Sequence, residues 1–270
     1  MKKEVFSGQR FRTYFKYDLA QMWRNHMKAA IVIGLAGLIY YIIGIAFNAT
    51  FNHVWQAPGF RGRMIVFILS AVALQLYQAR TYGYLTDRRK GAAWLMIPAS
   101  AFEKWLSMII ITLLVIPVAF LCTYAAVDGI LSLADPTYGK VLLTSSTQFV
   151  KNINEALIET NAEYNTTWNL GVFVLPMLVS HCVNYLYFLL CGICFKRNKI
   201  LWAILLVFGI SIVWSSLAAF LGINYSIEIE DVEEAEVVIR QALIWTNILG
   251  CLLTAALAGG IFSRIKTLKH

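Results

Sequence analysis

The sequence predicts an all-α polytopic membrane protein: six transmembrane helices, an N-terminal interfacial amphipathic helix, a short cytoplasmic helix between the second and third spans, and a folded outer segment. Three observations carry that prediction. Of 270 residues, 59% are hydrophobic and only 14% charged, with a mean hydropathy of +0.64; soluble domains run near 25% charged, so this chain lacks the polar surface to cover a water-soluble globule. Six apolar segments reach the ~20 residues that cross ~30 Å of hydrocarbon. The basic residues alternate in density between successive connections, as they do in proteins that thread a bilayer.

Residues 1–28 form the first segment, a cytoplasmic amphipathic interfacial helix. Phe11, Phe15, Leu19 and Met22 recur at helical spacing with Tyr14 and Trp23 alongside, while Arg10, Arg12, Lys16 and Arg24 occupy other faces. Such a helix is expected to lie along anionic headgroups. This arm is polar, basic and aromatic rather than a cleavable leader, so the first span is expected to act as an uncleaved signal-anchor. Residues 29–270 form the six-helix transmembrane domain. Its spans are Ala29–Phe47, Met64–Tyr82, Phe102–Val127, Leu170–Phe195, Ile200–Gly222 and Ala242–Phe262. The third is long enough to tilt or to begin with a turn outside the membrane.

Of the 23 Lys and Arg residues, 18 fall in the N-terminal arm, the connections after spans two and four with the span ends that flank them, and the tail. Eleven of the 15 acidic residues fall in the other connections. The basic side is read as cytoplasmic, with both termini there, in a bacterial cytoplasmic (inner) membrane. The net charge of +8 thus reflects threading, and nucleic acid is excluded as the partner. On the outer side, residues 128–169 read as a cap with a helical stretch around Phe149, Val150, Ile153 and Leu157. Residues 224–240 form an acidic outer segment carrying Glu228, Glu230, Asp231, Glu233, Glu234 and Glu236. It lacks the glycine turn and ligand alternation of a calcium loop, and reads as a solvated acidic helix. Cys122, Cys182, Cys191, Cys194 and Cys251 all lie in apolar stretches, as packing residues rather than a disulfide framework or a zinc site. No metal ligand set is expected.

The connection between spans two and three reads TDRRKGAAWLMIPASAFEKWL, Thr86–Leu106. A basic triplet is followed by Gly91 and an apolar strip, Ala92–Ile97, that sits poorly in water. Pro98 ends the helix, because it lacks an amide hydrogen and disfavours helix in the residue before it. Ser100 and Glu103 then have the S-x-x-E spacing of a capping box. A short helix, a sharp turn and a firmly started third span make a rigid elbow, suited to passing a push into the bundle.

In Arg89-x-Gly91 followed by Leu95-Met96-x-Pro98-x-Ser100-x-x-Glu103, the chain resembles the region after the second span of type-2 ABC exporter permeases. The resemblance covers about twenty residues in motif, and in layout extends to the N-terminal helix, the six spans, the inside termini and a membrane-dipping segment before the last span. It implies that segment 86–105 contains a coupling helix seated on a cytoplasmic ABC ATPase subunit, with Arg88, Arg89, Gly91, Trp94, Met96, Pro98, Ser100 and Glu103 carrying the coupling. It also implies a second permease chain, identical or paralogous, enclosing the path. The long outer segment 128–169 departs from the short turn of many members. No G-x-x-x-x-G-K-[ST] phosphate loop occurs. The chain would therefore hold no cofactor of its own and have no catalytic residue, with ATP and Mg on the partner ATPase.

Polar residues within the spans mark a candidate translocation path: Gln75 and Gln78 in span two, His181 and Asn184 in span four, and Asn247 in span six. The alternative for each is an interhelical hydrogen bond that only holds the bundle together. Ala30 and Gly34, Gly209 and Ser216, and Ala255 and Gly259 are small residues that let backbones approach. Two further functions compete with transport. One is an accessory membrane protein that scaffolds or senses through its outer cap. The other is an intramembrane enzyme with His181 as base, whose only neighbours in sequence are Ser180, Asn184 and Tyr185. An amphiphilic, lipid or peptide substrate fits the uncharged span centres.

Overall fold

A computed structural model describes residues 6–164, 171–224 and 232–268, which are helical with no strand among them. The helices are α1 (Gly8–Met22), α2 (Lys28–Gly34), α3 (Ala36–Phe51), α4 (Phe60–Thr81), α5 (Arg88–Leu95), α6 (Ala101–Ile110), α7 (Ile116–Ala134), α8 (Leu142–Tyr164), α9 (Gly171–Cys194), α10 (Lys199–Asn224) and α11 (Val232–Thr267). Two compact units result. The first is Met1–Thr81 with Pro98–Asn152, and the second is Tyr82–Ile97 with Ile153–His270.

Among the described residues, five stretches are long and apolar enough to cross a membrane: Gly8–Phe51, Phe60–Thr86, Ala101–Ala134, Val174–Cys194 and Arg240–Thr267. They are the mark of a multi-pass membrane protein. Large apolar side chains point away from the protein along them, among them Ile39, Ile42, Ile43 and Phe47 on α3 and Ile248, Leu249, Leu252 and Leu253 on α11. Such faces suit a hydrocarbon surround. The fifth expected span coincides with α10, helical over Lys199–Asn224, of which the apolar stretch identified among the described residues is Lys199–Ile212.

The N-terminal arm differs from a helix lying free on headgroups. A π turn, Trp23–Met27, joins α1 to α2 without a break. α1 buries Tyr14, Asp18 and Met22 in the first unit, while Phe11, Phe15 and Leu19 are only half-buried. The buried stripe includes a carboxylate because the Ser107 hydroxyl donates to Asp18 Oδ2 at 2.5 Å, and the apolar periodicity gives no hint of that partner.

The third span bends through a π turn, Ile111–Val115, where the Ile116 amide reaches back to the Ile111 carbonyl. Pro117 follows directly; lacking an amide hydrogen and crowding the preceding turn, it favours this wider coil. α2 and α3 pack on α7 through small residues: Ala30 is buried, and a Cβ on Gly34 would meet Thr123 Cβ at 3.0 Å. Gly209 and Gly259, by contrast, face open space within the chain. In the second unit α9 packs on α10 and α11, and Gly250 is the close approach, where a Cβ would strike Val179.

Segment 128–169 is helical over α8, as expected; its last five residues lie outside the described ones. Glu228, Glu230 and Asp231 also lie outside them. Glu233, Glu234 and Glu236 belong to α11, a single helix of 36 residues, which at 1.5 Å per residue spans about 54 Å. Among the described residues no separate membrane-dipping segment precedes the last span, and α11 is long enough to project well beyond ~30 Å of hydrocarbon.

Candidate functional site

The connection between the second and third spans is built as a braced foot. A 3-10 turn, Gly83–Thr86, buries Leu85 behind Tyr82 and packs on α9. Lys199, the first residue of α10, clasps this turn. Its Nζ donates to the Gly83 carbonyl and to Thr86 Oγ1 at 2.6 Å, and Thr86 Oγ1 donates to the Gly83 carbonyl at 2.9 Å. Sequence reasoning missed Lys199, because its partners are 116 and 113 residues away and one lysine in a basic break carries no signal.

From the clasp, α5 projects as two turns. The Gly91 amide donates to the Asp87 carbonyl at 2.8 Å, opening the helix. Gly91 and Trp94 are buried and Arg89 is exposed. Arg88 begins the helix. Met96 at its end is 86% exposed, and Pro98 is exposed too. The foot therefore buries Gly91 and Trp94 and leaves an apolar tip, Met96, exposed at its end.

Ser100 and Glu103 belong to the first unit and do different work. The capping box is complete: Ser100 Oγ accepts from the Glu103 amide at 3.2 Å, and the Ser100 amide donates to Glu103 Oε2 at 2.8 Å. The same carboxylate accepts from the Ser7 amide at 2.9 Å and from Arg10 Nε at 2.9 and 2.8 Å. Glu103 is fully buried, so it faces α1 rather than any docking partner.

A second charged cluster lies where α4, α7 and α8 converge. Arg63 pairs with Asp128 at 3.2 Å, both buried. Its other amino group donates to the Lys140 carbonyl at 3.0 Å, and its guanidinium lies 4.2 Å from the Tyr138 ring centre. Asp128 also accepts from the Tyr138 hydroxyl at 2.7 Å and from the Leu142 amide. Burial pushes the Tyr138 phenol pKa upward, which keeps that donor protonated. Beside it, Asp135 Oδ2 accepts from the Tyr41 hydroxyl at 2.9 Å, and Asp135 Oδ1 from the Thr137 amide and hydroxyl, each at 2.8 Å. The composition reading had no way to pair Arg63 with Asp128 across 65 residues.

The path candidates divide between the units. In the first, Gln75 is half-buried and Gln78 is fully buried, its oxygen accepting from the Thr81 hydroxyl at 3.3 Å while its amide nitrogen has no partner among the described residues. In the second, the His181 ring lies 4.2 Å from that of Tyr185, Asn184 reaches Ser180 at 3.4 Å, and the Asn247 oxygen is buried without a partner among the described residues. Buried amide groups left unpaired are costly, and Gln78 and Asn247 are the two path residues that carry that cost.

No family model matches this chain, and no curated protein or solved structure matches it.

Proposed function

We propose that the chain is the transmembrane permease subunit of an ATP-driven exporter of the type-2 ABC class, powered by a separate ATPase subunit. The observation that carries this reading is the braced foot. A helix of two turns, clasped at its root by Lys199 and ending on the exposed Met96, is a stiff lever with an apolar contact at its tip. A lever transmits only if its root does not yield, and the two Lys199 contacts supply that stiffness. In this reading the basic ends face the cytoplasm of a bacterial cell, and α10 completes six spans. Two permease chains enclose the path, and the substrate is amphiphilic, lipid or peptide.

The test is association. A nucleotide-hydrolysing subunit should co-purify with the full chain, and Met96→Asp should weaken that association about tenfold or more, the scale of a central interface contact. Retention at wild-type strength after Met96→Asp, with the foot otherwise folded, would count against the permease reading.

A further inference from the structure

The π turn between α1 and α2 does more than join two helices. Trp23, Arg24, Met27, Lys28 and Ile31 line a groove of about 360 Å³. Its residues form two adjacent rows at helical spacing, one of apolar and aromatic side chains (Trp23, Met27, Ile31) and one of cations (Arg24, Lys28). Met27 is 2% exposed and forms the floor, while Trp23 is 60% exposed and forms a wall. Arg24 and Lys28 are exposed, and neither enters an ion pair among the described residues. No carboxylate lines the groove. The turn is held from its other side, where the His26 ring nitrogen and the Tyr77 hydroxyl meet at 3.0 Å, so the groove does not depend on an occupant to keep its shape.

Position decides what fits. The cations sit where the first apolar span begins, at Ala29, so one end of the groove meets headgroups and the Ile31 end meets hydrocarbon. π turns of this kind recur at functional sites. A tryptophan at this depth offers an apolar body and an indole N–H to the interface. We infer that the groove binds one anionic phospholipid, its phosphate between Arg24 and Lys28 and the start of an acyl chain along Met27 and Ile31. The inference rests on the membrane-spanning character of the chain alone and is independent of the permease reading.

The experiment reconstitutes the full chain in phosphatidylcholine vesicles containing a minor fraction of brominated lipid, either phosphatidylglycerol or phosphatidylcholine. Bromine quenches indole at contact. The chain has eight tryptophans, so the Trp23 share is taken as the difference from a Trp23→Phe variant. Each basic residue near an anionic surface contributes about fivefold, so brominated phosphatidylglycerol should half-quench Trp23 at about 25-fold lower fraction than brominated phosphatidylcholine. Arg24→Gln with Lys28→Gln should bring the two lipids together. Arg12→Gln with Lys16→Gln removes two exposed cations of the same arm outside the groove and should leave the preference intact. Equal quenching by both lipids in the unaltered chain overturns the site without recourse to any groove-cation variant. So does equal loss in the two double variants, which would mean diffuse attraction to a basic arm. Abolition of the preference by inorganic phosphate, but not by chloride at the same ionic strength, would overturn it in favour of a free-anion site.

Discussion

Glu103 accepts hydrogen bonds from three separate groups, Ser7, Arg10 and Ser100, with none of its side chain in contact with solvent. The Arg10 side chain opposite it is 37% exposed. The two ends of one ion pair therefore sit in different surroundings, and their removal should differ in consequence. Glu103→Gln turns one acceptor oxygen into a donor aimed at donors, inside a dry site, and should cost about 3 kcal/mol. Arg10→Gln leaves the carboxylate its Ser7 and Ser100 amide donors and replaces a partly solvated cation with a neutral donor, and should cost less, about 1 kcal/mol. Thermal unfolding of the full chain in detergent reads both, and hydrogen exchange along α1 should rise more for the glutamate variant. Equal losses would mean that the pairing of charges, rather than the burial of one of them, sets the strength.

The short link between α7 and α8 is held at several points. Asp135 gathers the Thr137 amide and hydroxyl and the Tyr41 hydroxyl, and Thr137 Oγ1 accepts from the Ala57 amide at 3.1 Å. Under it, Ala57, Leu131 and Tyr138 form a small core with Leu38, Tyr41 and Val127. The Thr137 hydroxyl, more than any other group, holds the Asp135 carboxyl below its ordinary pKa of 3.8. The sign follows from linkage: a carboxyl whose folded pKa is depressed contributes its full stability above the ordinary value and loses it as pH falls through the folded one. Amide exchange at Thr137 and Tyr138 should therefore accelerate, beyond the intrinsic pH trend, as pH drops below 3.8. Asp135→Asn should remove that acid step. A step that persists in the variant would assign it to another carboxylate.

For the molecule as a whole, the sides on which its ends lie decide whether the number of spans is odd or even. Single cysteines at Gly8, Met96, Pro136 and Thr267, in a chain whose five native cysteines are replaced by alanine, can be labelled with a reagent that does not cross the bilayer. Six spans require labelling of Pro136→Cys from one side and of the other three from the opposite side. Label at Thr267→Cys from the side that reaches Pro136→Cys would mean an odd number of crossings and would leave α10 out of the count. Much of this frame was legible in the sequence because it depends on local pattern. Long apolar runs declare spans, Ser100 and Glu103 declare a helix start three residues apart, and Phe149, Val150, Ile153 and Leu157 declare α8. The braces were not legible. Asp18 with Ser107, Arg10 with Glu103, Arg63 with Asp128 and Lys199 with Thr86 join residues 65 to 113 positions apart. Their worth comes from burial that only the assembled helices create. The buried stripe of α1, Tyr14, Asp18 and Met22, is also not the Phe11, Phe15 and Leu19 row that periodicity picks out, and its carboxylate is acceptable only because a donor meets it.

Arg63 and Asp128 also set an order of events during synthesis. The ribosome makes the cation 65 residues before its counter-ion, and at about 5–20 residues per second the interval lasts roughly 3 to 13 seconds. Through that time α4 holds a guanidinium that hydrocarbon rejects and that no carboxylate neutralises. Tyr138, Lys140 and Leu142, which complete the cluster around the pair, emerge later still. α4 thus reaches its final resting state only after α7 and the start of α8 have joined it, and the first unit closes late although its first helices are made early.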